Sequence, residues 1–312
     1  MNLVFVHFGT IPKHLKSNIS DTCKRFPNLN VYVITDCNAN CFVDYKNLHI
    51  VTKDISSRVS DFRRITTLPV GFRNGFWLLS LIRLEVFGEF VNQLMEPSVH
   101  LESDVVISSD FPFDFLRNSK RSLAYVRVSE NESIASVLFL NPGETCSLFV
   151  KSIFSDFQKD PGMTDMKFLS DFQKCYPDMV FELPADANDP NDSEFLFDGS
   201  DFGQYLLGTD PRNSRGVRYL NFDNRNTRVF TNSYTFQYNS SREFIDASLG
   251  EKSFKLSNLH VHSKRLRMFR PATRTKILEG SITPFRRKWR FHLLVFIKQL
   301  KSSLKRRLSR HA

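Results

Sequence analysis

Val99-His100-Leu101-Glu102-Ser103-Asp104-Val105-Val106-Ile107 runs apolar, reaches two acidic residues one position apart, and turns apolar again. The apolar flank predicts a strand. Side chains alternate between the two faces of a strand, so Glu102 and Asp104 are expected to point the same way. Two carboxylates converging at a strand end supply hard oxygen ligands for Mg²⁺ or Mn²⁺, and such an ion in turn holds a diphosphate.

The chain around this stretch reads as alternating strands and helices. Residues 3–8 (Leu-Val-Phe-Val-His-Phe) predict a first strand. Leu15, Ile19, Cys23 and Phe26 then recur at steps of four, four and three, the spacing of one helix face. Residues 30–35 predict a second strand closed by Asp36, and residues 48–51 a third. A strand–helix–strand opening is the start of an α/β sheet with parallel strands. Further on, helices are expected over 77–91, 145–157 and 165–176, with a short one over 199–207. A buried strand over 133–140 stops at Asn141-Pro142-Gly143, and a late strand covers 256–262. Residues 184–194 and 208–228 are polar and turn-rich and read as loops. Ligands of open α/β sheets bind beyond the carboxyl ends of the strands, where Asp36 and the Glu102/Asp104 pair fall.

A hydrophobic fraction of 41% with 31 Phe supports a sizeable core, and the formal net charge of +10 raises nucleic acid as a partner. Its distribution argues against one. Residues 280–312 hold ten Lys or Arg and no acidic residue. Subtracting those ten from the chain's 43 basic residues leaves 33 against 33 acidic ones, so the body is neutral. Within the tail, Phe285, Trp289, Leu293, Phe296, Ile297, Leu300, Leu304 and Leu308 recur at helix spacing with Lys and Arg between them. A basic amphipathic helix of this kind suits an anionic membrane surface. The organisation expected is therefore a catalytic body over 1–279 and a membrane-associating tail over 280–312. Five scattered cysteines without zinc-ligand spacing read as free thiols of a reducing compartment. The chain opens directly on a strand, which predicts no signal peptide, and its apolar runs are too short to span a bilayer. A cytoplasmic protein peripheral at the inner face of the membrane is the expectation.

A second chemistry-bearing stretch is Asn258-Leu259-His260-Val261-His262-Ser263-Lys264. His260 and His262 alternate with apolar residues, so both imidazoles are expected on one side, with Lys264 at the same parity. Neutral imidazole is a good Mn²⁺ ligand, and an ammonium neutralises phosphate. The sequence leaves open which histidine binds the metal.

With these pieces assembled, the chain resembles the GT-A fold glycosyltransferases, the nucleotide-sugar-dependent class with an Asp-x-Asp-type metal motif. The resemblance spans roughly residues 1–270 and is strongest to bacterial polysaccharide and lipo-oligosaccharide transferases. It rests on Phe5-Val6-His7-Phe8-Gly9, on Phe76-Trp77 with Arg83-Leu84, and on His100 to Val105. Thr164-Asp165-Met166, Phe197-Asp198-Gly199 with Gly203-Gln204-Tyr205-Leu206, and Leu259 to Lys264 complete it. The resemblance implies a Rossmann-like mixed sheet flanked by helices, followed here by the C-terminal basic helix. It implies a UDP-linked nucleotide-sugar donor, a glycan or glycolipid acceptor, and Mn²⁺ or Mg²⁺ as cofactor.

Carried onto this chain, the metal set is Glu102, Asp104, His260 and His262. Glu102 departs from the commoner Asp, which leaves Asp104 as the principal ligand. Donor-binding residues are His7, Phe8, Gly9, Thr10, Asp36, Arg83, Ser103 and Lys264. Asp165 and Asp198 are the candidates for the reaction centre, each with an ordinary alternative: a helix N-terminus for the first, a turn for the second. Retaining and inverting chemistry both stay open. A metal-dependent phosphoesterase and a non-catalytic carbohydrate-binding protein on the same fold are the competing readings.

Overall fold

The computed structural model describes residues 1–37, 42–187, 193–207, 234–264 and 266. The expected basic helix over 285–308 and the loop over 208–228 lie outside them.

Asn2–His7 (β1), Lys13–Arg25 (α1) and Val31–Thr35 (β2) form the opening strand–helix–strand unit. Leu48–Thr52 (β3) follows, then helices Ser56–Ile65 (α2) and Phe76–Leu94 (α3). Ser98–Leu101 (β4) leads through a turn into Val105–Ile107 (β5). After a short helix Phe113–Arg117 (α4) come Leu123–Ser129 (β6), Glu132–Leu140 (β7), Glu144–Lys159 (α5), Asp165–Cys175 (α6) and Val180–Leu183 (β8). The rest comprises Phe195–Leu196 (β9), Asp201–Leu207 (α7), Thr235–Asn239 (β10), Phe244–Leu249 (β11), Lys252–Leu256 (β12) and Asn258–His260 (β13).

Seven strands make the main sheet in the order β3-β2-β1-β4-β7-β6-β8. β3, β2, β1 and β4 run parallel; β7 runs antiparallel to both β4 and β6. The sheet is therefore mixed. Because β6 is antiparallel to β7, its carboxyl end reaches the same rim as that of β4. A four-stranded sheet (β10-β11-β12-β9) and the β13–β5 pair lie beyond that rim. This second layer is absent from the sequence reading, apart from the late strand.

Both faces of the main sheet are buried. Along β1, Val4 and Val6 enter one apolar cluster with α3, α5 and α6, while Leu3 and Phe5 enter another with α1. Strand alternation thus feeds two cores, each large side chain contributing about 1.5–3 kcal/mol on burial. Gly203 is where α7 meets β13: a Cβ there would stand 2.1 Å from the backbone oxygen of His260. Glycine at this position lets the helix rest directly on the strand that carries the histidine.

A candidate metal centre

Glu102 and Asp104 do not lie in continuous strand as the alternation argument assumed. β4 ends at Leu101, and the Val105 N–H closes a turn on the Glu102 carbonyl at 3.0 Å. The turn still brings the two carboxylates together. β13 pairs antiparallel with β5, His260 opposite Val105, and this register carries an imidazole 158 positions away onto the same spot. His260 Nε2 lies 3.2 Å from Glu102 Oε2 and 3.4 Å from Asp104 Oδ2. One ligand atom from each of the three falls within 4.8 Å of the others. Adjacent ligands about 2.1 Å from an octahedral ion stand ~3.0 Å apart, so the spacing suits a single small cation.

The tautomer suits it too. His260 Nδ1 donates to the Gly199 carbonyl at 2.6 Å, which leaves Nε2 toward the carboxylates. Outer partners of this kind fix the ring of metal-binding histidines. Burial on its own would lower the His260 pKa. Asp104 and Glu102 override it and raise the imidazole to about 9. A protonated imidazole at this place sets positive charge against the two carboxylates. Asp104 is buried, which opposes its charge, yet Lys264 and His260 hold its carboxyl well below the usual range. The Lys264 ammonium is bonded directly to Asp104 Oδ2. His262 falls outside the three-residue group; its ring packs on that of His260 with centroids 4.0 Å apart.

The other expected site residues divide. Arg83, on α3, donates to Ser80 Oγ at 3.1 Å and to Glu102 Oε1 at 3.3 Å, which sets it beside the metal turn. Asp165 opens α6, but the N-cap is Thr164, whose hydroxyl accepts from the Lys167 N–H. Burial pushes the Asp165 carboxyl up to about 6, with Arg83 opposing and Glu102 reinforcing the shift. It therefore lies in the electric field of the site. Gly9, at φ +79°, donates to Asp36 Oδ1 at 2.7 Å, and His7 Nε2 donates to the Thr10 carbonyl at 3.1 Å. These bonds gather the β1 and β2 ends into one loop cluster. Phe8 turns inward and joins the core, so its ring is buried. Ser103 Oγ lies 3.3 Å from His14 Nε2.

Asp198 differs from the expectation of a group facing a reaction. It is 0% exposed. Its Oδ1 accepts from the Phe202 N–H, and its Oδ2 from those of Gly203 and His260. Asn258 closes a reciprocal pair with its backbone, accepting from the Asp198 N–H and donating to the Asp198 carbonyl. The first N–H groups of a helix need outside acceptors, and a buried carboxylate next to α7 supplies them. Burial still pushes its pKa up to about 6, the N–H donors opposing. Asn18 carries no signal in the sequence beyond being a polar residue next to the apolar helix face, and Gly199 and Asn258 appear there only as neighbours of Asp198 and His260.

No protein-family model matches the chain, and no curated protein matches its sequence. Solved structures similar to it include glycosyltransferases. The galactosyltransferase LgtC, solved in complex with donor and acceptor sugar analogues, is 15% identical at a TM-score of 0.41, over 60% of this chain and 74% of that one. Mouse xyloside xylosyltransferase 1 in its apo form is 9% identical at 0.41, over 59% and 84%. The glycosyltransferase GlyE of Streptococcus pneumoniae is 14% identical at 0.40, over 58% and 45%.

A group whose folded pKa lies above its unfolded value stabilises the fold fully below the unfolded value and loses that effect as pH rises through the folded one. For His260 the window runs from 6.5 to about 9. Thermal melts in EDTA are expected to fall across this interval, and His260→Gln to flatten that part of the profile. The same slope in wild type and variant would contradict the assignment.

Proposed function

We propose that the chain is a metal-dependent glycosyltransferase of GT-A type. It takes its sugar from a nucleotide-sugar donor, UDP-linked in this reading, and passes it to a glycan or glycolipid. The observation that carries the proposal is the convergence of Glu102, Asp104 and His260 at the carboxyl rim of a mixed α/β sheet, with two basic side chains beside them. Mixed oxygen and imidazole ligation suits Mn²⁺, with Mg²⁺ as the harder alternative. When bound, the cation acts as a Lewis acid toward the leaving diphosphate.

The remaining roles fall to the chain itself. Lys264, held on Asp104, is within reach of phosphate oxygens at the same place and adds positive charge where negative charge develops. Arg83, held on Glu102, does the same from the α3 side and orients the donor sugar. The cluster of His7, Gly9, Thr10 and Asp36 receives the base and ribose at the neighbouring strand ends, with Ser103 on its flank. Asp165 meets the sugar on the acceptor side; with its pKa near 6 it changes protonation close to neutrality. Asp198 works by holding α7 and the His260 strand together rather than by touching substrate. Isothermal titration of UDP tests the site. Mn²⁺ is expected to tighten UDP binding roughly tenfold or more in wild type and to have no effect in Asp104→Ala. Metal-independent UDP binding in wild type would overturn the reading.

We further propose that residues 285–308 bring this body to an anionic membrane surface from the cytoplasmic side, where a lipid-linked acceptor would lie. Among the described residues no helix is long and apolar enough to cross a membrane. The ten basic residues after position 279 carry the proposal. Flotation with anionic vesicles is expected for the full chain and not for a chain ending at residue 280; equal flotation would refute it.

A further inference from the structure

Among the described residues, β5 has a backbone partner on one edge only. β13 takes that edge, and α1 lies against the other. An unpaired buried carbonyl is costly, and the N–H groups inside a helix are already spent on its own i→i−4 bonds. Side chains of α1 answer the open edge. Asn18 Nδ2 donates to the Val105 carbonyl at 2.7 Å and to the Ser103 carbonyl at 3.3 Å, and Arg25 Nη1 donates to the Ile107 carbonyl at 2.7 Å. The Val105 and Ile107 carbonyls face one edge of β5, as alternate carbonyls of a strand must, and the Ser103 carbonyl of the preceding turn follows them on the same side. Asn18 and Arg25 stand seven residues apart, on one helix face. The helix thus presents side-chain donors in place of a neighbouring strand.

Asn18 has the decisive place in this ladder. It is 3% exposed, and both its partners are acceptors, so the amide nitrogen is the end that faces them. The Ser103 carbonyl belongs to the peptide just before Asp104. The Asp104 carbonyl, in the peptide just after, accepts from the Val261 N–H at 2.8 Å. Asp104 is therefore gripped on one side from α1 and on the other from the histidine strand. α1 also begins three residues after Thr10, so one helix ties the loop proposed for the nucleotide to the turn proposed for the metal.

We propose that Asn18 is a positioning residue for the metal centre: its amide, bonded to the Ser103 and Val105 carbonyls, sets where Asp104 meets Glu102 and His260. The inference rests on the metal reading given above. Mn²⁺ alone, titrated into the full chain and followed by the electron paramagnetic resonance of the free ion, tests it without nucleotide or turnover. Asn18→Leu keeps the approximate volume and removes both donated bonds; its Mn²⁺ dissociation constant is expected to rise about tenfold or more.

Asn47→Ala is the control. Asn47 Nδ2 donates to the Cys23, Phe26 and Leu29 carbonyls at the far end of the same helix. Its loss is expected to lower Tm and leave Mn²⁺ affinity unchanged, which separates positioning from stability. If Asn18→Leu does not fold, Asn18→Ser replaces it, with the same expectation. Wild-type affinity in the Asn18 variant, or an equal loss in Asn47→Ala, overturns this inference alone. A wild type that binds no Mn²⁺ overturns the metal reading and takes the inference with it.

Discussion

Glu102 and Asp104 place two carboxylates side by side at a buried rim, and every nearby element is arranged to answer their charge. Like charges a few ångström apart repel by about 4 kcal/mol at an effective dielectric of 20. In the metal-free protein three cationic groups offset this. Arg83 comes from α3, a protonated His260 from β13, and Lys264 from the segment after it. These come from segments far apart in the chain, so the acidic turn acts as the point on which the fold's two layers close. A divalent cation binding there would expel the His260 proton, since a coordinating imidazole must be neutral.

Holding that geometry requires stiff neighbours. Asp198 pins the start of α7 and the backbone of His260 with one carboxylate, and Gly203 lets the helix approach the strand closely enough for this to happen. In the second layer, Arg242 pairs with Asp110 and Asp246 and donates to the Leu256 carbonyl, fastening β11 and β12 to the segment after β5. The Asp198 clamp is fully buried, whereas the Arg242 cluster has its Asp110 partner exposed. Buried polar clusters whose members are all paired rigidify their surroundings, whereas losing one member leaves the others exposed to the full desolvation cost.

Much of this was legible in the sequence, for identifiable reasons. α1 buries one regular face and so carries helical periodicity, while β1, β2 and β7 are buried on both faces and read as near-continuous apolar runs. Glu102, Asp104 and His260 stand out because acids and imidazoles are unusual inside apolar runs. Other elements gave no such signal. α2 carries Val59, Phe62 and Ile65 at three-residue steps but buries only Phe62 fully, so its apolar face is too short to stand out. β12 (Lys-Ser-Phe-Lys-Leu) is short and half-polar, and β8 has four residues. The sequence leaves Asp198 both as a reaction-centre candidate and as a turn residue, because a carboxylate satisfied by backbone N–H groups and one aimed at a substrate are spelled alike. His262 shares parity with His260, but the strand ends between them, and alternation fails where the strand stops.

Diffraction at the manganese absorption edge from crystals grown with Mn²⁺ tests the central claim most directly. The account predicts one anomalous peak at about 2.1–2.3 Å from a Glu102 oxygen, an Asp104 oxygen and His260 Nε2, with Lys264 drawn away from the carboxylate. A peak elsewhere, or none between these three side chains, would contradict it.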